Sequence, residues 1–83
     1  MNKRERHRRV YRAIYGNAPL SDVEAELERE NAPLYSEWLP KGTISRWLKG
    51  GEVLPGVWKA IGAAAHRRGV PVEKIRQIMG WAA

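Results

Sequence analysis

The sequence predicts an all-α fold, a compact bundle of five to six short helices. Apolar residues recur at spacings of three and four through most of the chain, which is the helical period. Phe is absent, and β-branched residues nowhere alternate with polar ones for long, so strands are not expected. The chain has 83 residues and no cysteine. That is enough for one domain with one modest core, stabilised by packing and without disulfides or a thiolate metal site.

Residues 3 to 15 put Val10, Tyr11, Ile14 and Tyr15 on one stripe, with Arg4, Arg8, Arg9 and Arg12 largely off it. This predicts a first helix with a frayed basic start, broken by Gly16-Asn17-Ala18-Pro19. "SDVE" follows, and Ser21 with Glu24 has the spacing of a capping box. A second helix over about 21–30 would bury Leu20, Val23 and Leu27 on one side, with acids in its first turn where the dipole favours them. "NAPL" occurs at 17–20 and again at 31–34. The second copy is expected to open a short helix, "PLYSEWL", ending near Pro40.

On a helix over about 41–49, Ile44, Trp47 and Leu48 form an apolar stripe. Gly42, Ser45, Arg46 and Lys49 fan out opposite, and Gly50-Gly51 stop the helix. The next helix starts with Pro55 near its first position and ends at Gly69, burying Val57, Trp58, Ile61, Ala64 and Ala65. A last helix opens at Pro71, with Val72, Ile75, Ile78 and Met79 inward and Trp81 closing over the core.

The net charge is +6, and it is unevenly spread. Residues 1–20 carry six basic groups and one acid, residues 21–40 one basic group and six acids, and residues 41–83 eight basic groups and two acids. Two basic regions around an acidic one suggest a polyanion partner, with the acidic segment facing elsewhere. The apolar runs are only a few residues long, and the basic N-terminus has no apolar stretch behind it. Neither a membrane span nor a secretory signal is expected, and a cytoplasmic location is the default expectation.

Catalysis is poorly supported. His7 and His66 are each embedded among arginines. No phosphate-binding glycine loop and no zinc-ligand spacing is present, so no enzyme activity, cofactor or metal is expected. A DNA-reading helix, by contrast, needs an apolar face to dock on its own domain and an outer face of short polar and basic side chains. The stretch "KGTISRWLKGG" has both. Arg can pair with guanine O6 and N7, and Ser or Thr can reach bases or phosphates.

"TISRWLKGGEVLPGVWKAIGAAAHRRGV" resembles the second half of the helix-turn-helix domains of Cro/repressor-type regulators from phages and prophages. In these a "VSRWLKG"-like string precedes an "IP..YW..I..AA...GV" pattern. Ile44, Ser45, Arg46 and Trp47 match the first string, and Pro55 with Trp58 the second. The match spans roughly residues 40–72. The sequence departs from the family upstream, where Leu34 stands at a small-residue position and Trp38 at the turn glycine. Either "APLYSEWL" is a divergent scaffold helix, or residues 21–30 play that part with an insertion after them.

The resemblance implies a sequence-specific regulator of transcription that occupies operator DNA, commonly as a homodimer. Residues 1–16 would be a basic arm and first helix, and 17–83 the DNA-binding domain. Expected base contacts are Thr43, Ser45, Arg46 and Lys49. Expected phosphate contacts are Lys41, Arg8, Arg9, Arg12, Lys59, Arg67 and Arg68. The arm could track phosphates, enter a minor groove, or be a disordered tail. Asp22, Glu24, Glu26, Glu28 and Glu30 form a candidate face for a protein partner such as RNA polymerase. Two rival functions remain: an adaptor or inhibitor using the acidic helix, and a DNA-binding accessory subunit of a recombinase or packaging machine.

Overall fold

The computed structural model describes residues 1–35, 42–53 and 55–81, with side chains given for 1–30, 42–53 and 55–81. Among these residues there are five helices and no strand. They are α1 (Lys3–Tyr15), α2 (Leu20–Tyr35), α3 (Thr43–Leu48), α4 (Pro55–Arg67) and α5 (Val72–Met79). The radius of gyration, 12.0 Å, is what close packing gives a chain of this length.

α1 covers the expected residues and is capped where fraying was expected. The Asn2 side chain accepts from the Glu5 N–H at 2.9 Å, satisfying one of the orphan donors of the first turn. Its buried stripe is His7, Val10, Ile14 and Tyr15. Tyr11 donates to the Ala18 carbonyl at 2.6 Å and so fixes the turn into α2.

α2 differs from expectation at both ends. It starts at Leu20, and the Pro19 carbonyl accepts from the N–H groups of Asp22 and Val23. Ser21 therefore lies inside the first turn, not at the capping position. At the other end, α2 runs on through Asn31 to Tyr35, so the second "NAPL" opens no new helix. The two copies differ in what precedes them. Gly16, at φ 64°, turns the chain before the first, whereas Glu30 continues a helix into the second. The helix expected from Pro33 to Leu39 and the turn at Pro40-Lys41 fall largely on residues 36–41, outside the described residues.

α3, α4 and α5 end in the same way. The residue after a glycine bonds back five positions in each: Gly51 to the Arg46 carbonyl at 3.0 Å, Val70 to Ala65 at 2.8 Å and Trp81 to Arg76 at 2.9 Å. Gly50, Gly69 and Gly80 occupy the left-handed position that this closure requires. At Gly50 space matters as well, since a Cβ there would sit 3.1 Å from the Arg4 backbone nitrogen.

α1 packs against α5 and α3, α2 against α4 and α3, and α4 against α5. Trp47 of α3 is the largest fully buried side chain, at 0% exposure, and it lies between α1 and α4. Val57, Ala60, Ile61, Ala64 and Ala65 form the α4 face, and small alanines let the facing helix approach closely. In α5, Ile75 and Met79 are buried as expected, Ile78 is half-buried, and Val72 at the helix start is 50% exposed, against expectation. Trp81 meets Trp58 edge-on at 4.9 Å, yet 46% of it remains in solvent. It covers one edge of the half-buried Trp58; it does not seal the core.

Candidate nucleic-acid interface

α3 has only six residues, too few to hold a helix by itself. Its position comes from Ile44 and Trp47, which anchor one face in the core. That anchoring turns Arg46 and Lys49 outward and exposed, with Ser45 half-buried beside them. The Arg46 stem lies back across Gly51, where a Cβ would come within 2.9 Å of Arg46 Cγ. Gly51 thus lets the stem fold over the end of its own helix. Among the described residues Arg46 and Lys49 have no ion-pair partner.

α1 is a second basic surface. Arg8, Arg9 and Arg12 are exposed on the side away from His7, Val10 and Ile14, and none has an ion-pair partner among the described residues. Its start is tied down: Lys3 Nζ lies 3.2 Å from Glu52 in the segment after α3. Arg6 donates to the Met79 carbonyl at 3.0 Å and completes the end of α5. The basic start of the chain is therefore a packed helix, so a minor-groove arm or a disordered tail does not describe residues 3–15. Lys59 is exposed on α4, and Lys41 lies outside the described residues.

Three expected contacts need correction. Thr43 is 5% exposed, a buried position that does not suit a base contact. Arg68 pairs with Glu26 at 2.6 Å and lies over the Tyr15 ring at 4.7 Å, and Arg67 pairs with Glu30. Both arginines thereby pair with α2 while staying partly exposed. The acidic helix likewise presents no single partner face. Glu26 and Glu30 share one stripe, Glu24 and Glu28 share another, and the buried Val23 and Leu27 lie between the two. Burial, with Glu26 nearby, pushes the Tyr15 phenol up to about 12, so it stays neutral beside these charges.

The residue missed in the sequence is His7. It is 1% exposed, stacked on Trp47 with ring centroids 5.0 Å apart, and edge-on to Trp58 at 5.4 Å. Its Nδ1 lies 2.6 Å from the Trp47 carbonyl. Burial holds its pKa below the ordinary 6.5, the bond to Trp47 opposes that shift, and nearby Lys3 adds to it. The signal was present, since His7 falls on the stripe of Val10 and Ile14, three and seven residues on. The surrounding arginines concealed it.

No protein-family model, curated protein or solved structure matches the chain. Among the described residues no helix is long and apolar enough to cross a membrane.

Proposed function

We propose that this protein is a sequence-specific double-stranded DNA-binding regulator of transcription, of the phage or mobile-element kind, that acts by occupying an operator. One observation carries the reading. A short helix is locked to the core through Trp47 and turns Arg46 and Lys49 outward, without ion-pair partners among the described residues. A rigid support is what base readout requires, because a bidentate contact from Arg to guanine tolerates little angular error. Arg46, Lys49 and Ser45 are the base-reading candidates. Arg8, Arg9 and Arg12 on α1, and Lys59 on α4, are the phosphate candidates. The resemblance of residues 40–72 to Cro/repressor-type domains supports the same reading, with a helix-turn-helix formed by α2 and α3 as part of the proposal. Bound across a promoter, such a domain blocks polymerase or recruits it.

Titration of labelled duplex DNA across a salt series tests this. About five phosphate contacts give a log–log slope near −4 to −5. A flat response to salt, or no binding at low salt, would overturn the reading. The adaptor alternative loses ground because Glu26 and Glu30 are spent within the domain.

A further inference from the structure

His7 lies where α1, α3 and α4 meet. The Trp47 carbonyl can only accept a hydrogen bond, so the 2.6 Å contact requires the proton on Nδ1. In the neutral ring Nε2 then carries only a lone pair. Nε2 is fully buried with no hydrogen-bond partner, as is the Trp47 indole nitrogen. A lone pair among aromatic rings costs little compared with an N–H bearing positive charge in the same place.

The Trp47 carbonyl at Nδ1 favours the charged ring, but burial outweighs it, and Glu5 on α1 is exposed to solvent. Lys3, one turn earlier on α1, opposes the charge. α3 supplies the Trp47 carbonyl and indole together with the cations Arg46 and Lys49, and it contains no acid. α4 supplies the Trp58 ring and contains no acid either. α5, packed on the other flank of α1, carries Glu73, Lys74 and Arg76, all exposed. Glu52, after α3, is engaged by Lys3.

We propose that His7 is a proton-sensitive clasp between α1 and α3, closed while the ring is neutral and opened when Nε2 takes up a proton. Closed, it fixes the end of α3 through the Trp47 carbonyl and lays its ring on the Trp47 indole. Opened, it leaves a six-residue helix with one anchoring face and no clasp. α2 and α4 keep their own apolar contact and their ion pairs. The clasp contributes fully above pH 6.5, the ordinary value that the ring has in an open chain. It weakens as pH falls below that value, by up to tenfold in the closed-to-open ratio per pH unit, because the open form binds the extra proton. If α3 reads DNA, as proposed above, the clasp makes that reading sensitive to acid. The device itself does not depend on what the chain binds.

The test combines nitrogen-15 NMR of the histidine rings with amide hydrogen exchange between pH 7.5 and 5.5, in the absence of nucleic acid. The exposed His66 supplies the reference signal. The expected spectrum at pH 7.5 has His7 protonated on Nδ1 alone. As His7 takes up its second proton, the amides of Arg46, Lys49, Gly50 and Gly51 should lose protection, up to tenfold per pH unit after correction for intrinsic exchange. The amides of Arg68 and Val70, which close α4, should keep theirs. His7→Phe retains a stacked ring and removes the titrating group, and Gly50 still donates to the Trp47 carbonyl at 3.0 Å. Its α3 protection should not change with pH. The clasp is overturned if His7 protonates with α3 protection intact. It is equally overturned if all helices open together, or if His7→Phe follows the native chain. Should His7→Phe not fold, the native chain alone decides.

Discussion

Two helix–helix joints in this small domain are built from opposite materials. Where α2 meets the end of α4, charges close the seam: Glu26 with Arg68, Glu30 with Arg67, and Arg68 over Tyr15. Where α1 meets α3, the seam is His7 stacked on Trp47 with Trp58 at its edge. The first joint consumes cations, whereas the second consumes none of Arg8, Arg9, Arg12, Arg46 or Lys49. The acidic helix thus pairs with the basic end of α4 and leaves the cations of α1 and α3 named above without an ion pair among the described residues. The binding surface we propose is defined as much by where acids are absent as by where arginines are present.

Breaking the aromatic joint should have the largest effect. Trp47→Ala removes a side chain at 0% exposure and should cost roughly 3–5 kcal/mol. Against a total of about 5–15 kcal/mol for a small domain, this removes a large share of the stability. Chemical denaturation followed by circular dichroism measures it, and a loss under 1 kcal/mol would show that Trp47 does not anchor α3.

Arg46→Ala touches the outer surface alone. It should leave stability unchanged and weaken binding at a specific site by roughly 1–3 kcal/mol, with relaxed base preference at one position. An equal loss on every sequence would make Arg46 a phosphate contact. Gly50→Ala sharpens the comparison from the backbone side. A left-handed φ of 81° disfavours alanine by about 1–2 kcal/mol, and the new Cβ crowds the Arg4 nitrogen. Lost stability accompanied by weaker DNA binding would tie the α1–α3 seam to the proposed surface. A stability loss below 0.5 kcal/mol (roughly the scatter of neutral surface changes) would contradict the close approach.

The smallest effect is the one that best distinguishes the two joints. Glu26→Gln removes a partly exposed pair and should cost only about 0.2–1 kcal/mol. It also frees Arg68. If that arginine then reaches phosphate, the salt slope on duplex DNA steepens by up to about 0.9. An unchanged slope would mean that Arg68 lies away from the DNA path whatever its partner.

Much of this was legible in the chain, and for identifiable reasons. The helical stripes of α1, α4 and α5 are long enough for their period to be read, and the glycine stops read at 50 and 69 coincide with left-handed backbone. The outward placement of Arg46 and Lys49 followed from the inward placement of Ile44 and Trp47. The end of α2 was misread because "NAPL" was treated as a boundary without the glycine that makes it one at residue 16. Thr43 stands four residues before Trp47, on the same helix face, and so shares its burial, whereas the sequence reading grouped it with Ser45 and Arg46. The pairing of Arg67 and Arg68 with α2 could not be read from sequence, because it joins residues about forty apart that only the packing of α2 on α4 brings together. His7 was hidden by its neighbours: four arginines and a glutamate around it suggested a wet surface, while its register placed it inside.

The central claim is that α3 reads sequence, beyond merely carrying charge. Selection of bound duplexes from a random-sequence pool at about 150 mM salt, where exposed charges are substantially screened, tests it most directly. The account predicts enrichment of one motif in which Arg46→Ala erases preference at a single base pair. Recovery of a pool with no enriched motif, and with affinity that vanishes as salt rises, would contradict it and reduce α3 to a charged surface.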